Sequence, residues 1–146
     1  MTGFPWPAAH FDPRGRLSRR AYHRQLIGTL LLVVVSGSIA ILVASMEARS
    51  AALIVVAAGT IGAGAFVTVA TVRRLHDRGR TGWWLLPNAF VTVAGFAPIE
   101  TLADAYPVAV IVATLAMTGF NLWFLIETVG LAGMAGSNRY GFEPEH

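Results

Sequence analysis

The stretch QLIGTLLLVVVSGSIAILVASM, residues 25 to 46, decides the fold. It holds no charged side chain, and at about 1.5 Å of rise per residue a helix of this length crosses a hydrocarbon core of about 30 Å. A helix that is apolar all round has no side for water, so it belongs inside protein or inside lipid. The rest of the chain settles which. Of 146 residues, 55% are hydrophobic and only 13% are charged, whereas a soluble domain carries about a quarter of its residues charged. Lipid accepts apolar side chains facing outward, so this composition describes one integral membrane domain. A secretory leader is the other reading of an early apolar run. It fits poorly, because leader cores run to about 7–15 residues and this one is longer and follows an arginine-rich arm.

Working outward, the first apolar stretch ends at Glu47, Arg49 and Ser50, and a second, residues 51 to 72, stops at Arg73 and Arg74. A third is expected from 82 to 98, shorter and interrupted by Pro87 and Asn88. A fourth is expected from 107 to 129, with Pro107 in its first turn, where a missing backbone donor costs nothing. The expected fold class is therefore an all-α integral membrane protein, a bundle of four transmembrane helices. Residues 1–24 form an arm, 25–129 the membrane domain and 130–146 a tail.

Four crossings place both termini on one side, and the arginines say which. All eleven basic residues are arginine. Arg14, Arg16, Arg19, Arg20, Arg24, Arg73, Arg74, Arg78, Arg80 and Arg139 share one face of this topology, and Arg49 alone lies on the other with Glu47, Glu100 and Asp104. By the positive-inside rule the arginine face and both termini are cytoplasmic, with Trp83 and Trp84 at the interface. In the arm, Phe4, Trp6 and Phe11 alternate with Pro5, Pro7 and Pro13 and read as extended chain. Ser18 is the expected N-cap of a turn reaching Arg24 at the membrane surface.

Several chemistries are excluded or disfavoured. With no cysteine, there is no thiol catalysis, thiolate metal site or disulfide exchange. No acidic metal-binding cluster is present, and His10, His23, His76 and His146 all fall outside the apolar stretches, which argues against haem. No cofactor and no metal are expected. The positive-inside bias already accounts for the basic surplus beside the bilayer, so nucleic acid is not an expected partner.

Inside lipid, helices associate through small residues and polar pairs. On the second stretch Ala58 and Gly62, Gly59 and Ala63, and Thr60 and Gly64 each stand four apart. This face suits contacts within one chain or between copies. On the fourth, Thr114, Thr118, Asn121 and Thr128 form a polar stripe, which Asn88, Thr92 and Gly95 repeat on the third. Packing is the preferred reading of these stripes over a solute path, since no span carries a charged pair at midplane. Glu127 is the exception, near the inner end, where it meets water or an arginine.

The most informative connection is Arg73-Arg74-Leu75-His76-Asp77-Arg78-Gly79-Arg80-Thr81-Gly82-Trp83-Trp84. If the second helix continues past the membrane, Arg73 and Asp77 stand four apart on one face and Arg74 and Arg78 on the next, and Gly79 ends it. His76 and Asp77 point about 100° apart on such a helix, so each must find partners elsewhere, such as Tyr22, Asn138 or Tyr140.

This connection resembles the Arg-Arg-Leu-His-Asp core, followed by Gly-Arg-Ser-Gly-Trp-Trp, of a bacterial inner-membrane family catalogued as domain of unknown function 805. Residues 15–22, Gly-Arg-Leu-Ser-Arg-Arg-Ala-Tyr, resemble that family's opening motif. Asn138-Arg139-Tyr140-Gly141, with Pro144, resembles its closing one. His23, Arg78, Thr81 and the proline-free approach Met134-Ala135-Gly136-Ser137 depart from the pattern. The resemblance implies a multi-span protein of the bacterial cytoplasmic (inner) membrane and brings no activity with it.

All three motif segments fall on the arginine face of the expected topology. Arg16, Arg19, Arg20, Arg73, Arg74, Arg80 and Arg139 are therefore expected at an anion-binding pocket, with His76, Asp77, Asn138 and Tyr140 fixing its geometry. The expected anion is a lipid headgroup phosphate or an acidic partner segment. A membrane module that binds anionic lipid, a partner membrane protein or a second copy of itself is the leading class. A small-solute transporter, suggested by Pro87-Asn88 and the polar stripe, and a surface enzyme using His76 as acid or base are the competing ones.

Overall fold

The computed structural model describes residues 11–144, apart from the side chain of Thr101. Phe4, Pro5, Trp6, Pro7, His10 and His146 lie outside the described residues. The described residues are mostly helical: α1 Arg19–Ser45, α2 Arg49–Asp77, a 3-10 turn Gly82–Trp84 leading into α3 Leu85–Ala94, α4 Glu100–Ala105, and α5 Pro107–Leu125, which continues into a π turn, Ile126–Gly130. Three of these are long and apolar enough to cross a membrane: α1, α2 and α5 with its π turn. Their outer faces carry side chains that water would not tolerate, among them Ile41, Leu53, Ile61 and Leu115, each about two-thirds exposed or more. At about 1.5–3 kcal/mol for each large aliphatic side chain left in water, such a surface is stable only against lipid or another apolar body.

The helix ends follow local chemistry. Ser18 is the N-cap of α1 and its hydroxyl accepts from the Ala21 amide. No separate surface turn forms, because residues 19 to 24 are the first turns of one continuous helix. α2 overruns its apolar stretch as far as Asp77, and Gly79 follows with φ +72°, a left-handed conformation that terminates helices and favours glycine. The third helix stops at Ala94, four residues short of the expected Pro98. The Phe96 and Ala97 amides donate to the Val93 and Ala94 carbonyls in tight i→i−3 turns, so the helix unwinds through Gly95 ahead of Pro98.

α1 and α2 pack along small residues. Ala52, Gly59, Ala63 and Ala70 of α2 are buried, as is Ala40 of α1. A Cβ on Gly59 would lie 2.3 Å from the Ser36 hydroxyl oxygen, so the Ser36 side chain packs on α2 where only glycine leaves it room. Gly62 faces Leu32 across the same seam, while Ala58, Thr60 and Gly64 are exposed on the far side. α5 pairs with α3, where Asn88 Nδ2 donates to Asn121 Oδ1 at 3.2 Å. Thr114 and Thr118 join Asn121 and Thr92 on the wall of a cavity of about 490 Å³ between α3, α4 and α5. The α1–α2 pair and the α3–α5 pair meet only at one end, through the π turn, the 3-10 turn and a short approach of α2 to α3. That end carries the arginines.

Candidate functional site at the arginine-bearing end

Asp77, 2% exposed, is the hub. Arg16 Nε donates to its Oδ1 at 3.0 Å and Arg74 Nη1 to its Oδ2, so one carboxylate orients two guanidiniums from different segments. The pairing Arg73–Asp77 expected from sequence is not made. Asp77 takes Arg74 one turn back at i,i+3 instead, because Arg74 points into the protein and is fully buried. Gly133 closes over this pair: a Cβ there would fall 2.1 Å from Asp77 Oδ2.

Two positive groups on one negative group leave an excess charge, and the C-terminal segment absorbs it. Arg74 Nε donates to the Thr128 carbonyl at 2.8 Å and its Nη2 to that of Leu131. Arg16 donates to the carbonyls of Met134 and Gly136, Arg19 to Gly130 at 2.9 Å, His23 to Val129 at 3.1 Å, and Arg78 to Ala132. The end of α5 presents carbonyls with no partner in their own helix and the negative pole of the helix dipole. Basic side chains satisfy them one after another and carry the tail back across the bundle. In return the Met134 amide donates to the Asp77 carbonyl at 2.9 Å.

A second buried carboxylate, Glu127 in the π turn, accepts from Arg80 Nε at 2.7 Å and Arg78 Nε at 3.2 Å. The Arg80 guanidinium also lies 5.1 Å from the Trp123 ring centre and 5.8 Å from that of Trp84, a cation–π contact worth about 0.5–2 kcal/mol. His76 ties the three motif segments together. Its ring stacks on Tyr140 with centres 3.8 Å apart, its Nδ1 donates to the Gly15 carbonyl at 3.2 Å, and its own carbonyl accepts from Asn138 Nδ2 at 2.9 Å. Arg139 lies over the other part of this stack, 4.7 Å from the Tyr140 ring centre.

The residues singled out from sequence thus divide by role. Arg16, Arg74 and Arg80 point at internal acceptors. His76, Asp77, Asn138 and Tyr140 join the segments. Arg20 and Arg73, with Arg24, remain on the wall of a cavity of about 670 Å³, beside Leu17, His23 and Pro144. Sequence reasoning passed over Arg24, although its spacing of four from Arg20 puts both on one face of α1. It also passed over Gly133, for which no local signal exists, and it did not assign Arg78 and Glu127 to each other. Arg73 is anchored through its backbone, whose carbonyl accepts from the Leu17 amide at 3.1 Å. Its side-chain Nε is buried and has no hydrogen-bond partner. Among the described residues, no group of three or more His, Cys, Asp or Glu is placed to hold a metal ion.

Apolar helices without a water-facing side, pinned at one end by arginines, define a multi-pass helical membrane protein. The chain belongs to the family described as Protein of unknown function (DUF805), whose model matches residues 10–142. Neither a curated protein nor a solved structure matches the chain.

Proposed function

We propose that this is a four-span protein of the bacterial cytoplasmic membrane, with both ends inside, that binds the phosphate of an anionic lipid headgroup in the cavity lined by Arg20, Arg24 and Arg73. The carrying observation is that Arg20, Arg24 and Arg73, from two helices, line one cavity. Guanidinium groups bind phosphate oxygens through charge-assisted, two-pronged hydrogen bonds. Depth supports the same reading. Arg24 directly precedes the apolar stretch of α1 and Arg73 directly follows that of α2, so the cavity sits where hydrocarbon gives way to headgroups. For the four-span topology, support comes from the order of elements. α3 leaves the arginine-bearing end and α5 returns to it, which puts Glu100 and Asp104 of α4 at the opposite end. No group here is assigned to catalysis.

The test compares purified wild type with an Arg20→Gln/Arg24→Gln/Arg73→Gln variant for phosphatidylglycerol retained through detergent purification, read by native mass spectrometry. Basic groups near a membrane surface contribute about 1 kcal/mol each, so the variant is expected to lose affinity by about a hundredfold. Arg139→Gln, which alters an exposed cation elsewhere, is expected to keep its lipid. Equal retention in all three proteins overturns the proposal.

A further inference from the structure

Four of the eleven arginines are neutralised by buried carboxylates. Arg16 and Arg74 pair with Asp77, and Arg78 and Arg80 pair with Glu127. Arg20, Arg24 and Arg73 pair with no carboxylate among the described residues, and none of the described acidic side chains lines the cavity they share, although Arg20 also borders a neighbouring cavity that holds Asp77 and Glu143. Like charges four apart on a helix repel, at a cost of about 0.2–0.5 kcal/mol, so Arg20 and Arg24 do not stabilise α1 by standing together. On this wall Arg20, Arg24 and Arg73 are the cations without a carboxylate partner, beside Arg16, which Asp77 neutralises.

We infer that this cavity selects a dianionic phosphomonoester over a monoanionic phosphodiester. The inference rests on the phosphate-binding reading above and narrows it. A diester brings one charge and two free oxygens, and so leaves two of the three guanidiniums without a counter-charge. A monoester near neutral pH carries a charge of about −1.5 to −2 and three terminal oxygens, each able to take an N–H from the fork of an arginine. Arg73 reaches the cavity from the end of α2 while Arg20 and Arg24 reach it from α1. The donors therefore converge from two helices on one group, and a phosphate with three free oxygens satisfies that convergence. The ligand's source is either a lipid bearing a terminal phosphate or a soluble phosphomonoester approaching from the aqueous side.

The experiment places the intact wild-type protein in nanodiscs of phosphatidylcholine containing equal mole fractions of a fluorescent phosphatidic acid or a fluorescent phosphatidylglycerol, and reads energy transfer from the native tryptophans at pH 8 and pH 5. At pH 8 phosphatidic acid is expected to bind about tenfold more tightly, from one additional close charge pair. At pH 5, below the second phosphate ionisation near about 6, the preference is expected to shrink towards unity as the monoester takes up its proton. An Arg24→Gln variant, altered at one exposed position, is expected to bind both lipids but with the pH 8 preference reduced severalfold. Adding glycerol 3-phosphate at millimolar concentration separates the sources: displacement of bound phosphatidic acid supports a soluble monoester, and retention supports the lipid. Equal binding of the two lipids at pH 8 overturns this inference while leaving phosphate binding intact. No binding of either lipid overturns the phosphate-binding reading itself.

Discussion

Asp77 shows most sharply how single residues shape this protein. A carboxylate holding two buried guanidiniums is costly to remove, because both cations keep their desolvation penalty and lose their counter-charge. Asp77→Asn, similar in shape but neutral, is expected to lower stability by about 3–5 kcal/mol, seen as a fall in the thermal midpoint in detergent. The same variant should free the tail, so that residues 130 to 137 become cleavable by a protease under conditions where the wild type resists; an unchanged midpoint and cleavage pattern would refute this role. Sequence allowed Asp77 to be read as an orienter of arginines, because an acid among four cations has little else to do. Its partners were not legible. Arg16 lies 61 positions away, and the choice of Arg74 over Arg73 depends on which side chain faces inward, which spacing does not reveal.

At the scale of elements, small residues and helix ends decide the packing. Gly59 lets the Ser36 side chain of α1 pack directly on α2, whereas a Cβ on Gly64, five residues on, would meet nothing within 4 Å. Gly59→Ile is therefore expected to destabilise by about 1–3 kcal/mol through overpacking, while Gly64→Ala should be neutral or slightly stabilising, since alanine suits a helix better than glycine. Thermal unfolding of the two variants side by side checks this, and equal midpoints would show that the seam is not tight. The i,i+4 spacing of Gly59 and Ala63 was visible in the sequence, and so was the run of small residues around it. Which of the three small-residue faces meets α1 was not, because all three repeat every four residues and differ only in rotation about the helix axis. The π turn at Ile126–Gly130 is likewise a tertiary effect: it lets both Glu127 and Thr128 point inward, to Arg80 and to buried surroundings.

Across the whole molecule, the two helical pairs are joined at their arginine-bearing end, and the proposed topology puts that end inside the cell. The chain has no cysteine, so a single introduced thiol gives an unambiguous label. Ser137→Cys and Asp12→Cys are expected to react with an impermeant maleimide only in inverted membrane vesicles, and Glu47→Cys and Asp104→Cys only in intact cells whose outer barrier has been opened. Labelling of Ser137→Cys and Asp104→Cys from the same side would remove the third crossing. Because Glu47 and Asp12 lie at opposite ends of α1, they test the orientation independently of the third helix.

Sequence by itself determined that this chain belongs in a bilayer, where its long helices run, and that three arginine-bearing motifs belong together. Those conclusions follow from transfer free energies, which depend on what a residue is and how many like it adjoin. Tertiary structure alone decided which arginines are neutralised and which stay open. A guanidinium is committed by the carbonyls and carboxylates within about 3 Å of it, and these come from segments distant in the chain, such as the tail that returns over Arg16 and Arg74. Charge counts along the sequence treat all of these cations alike, and folding is what separates them.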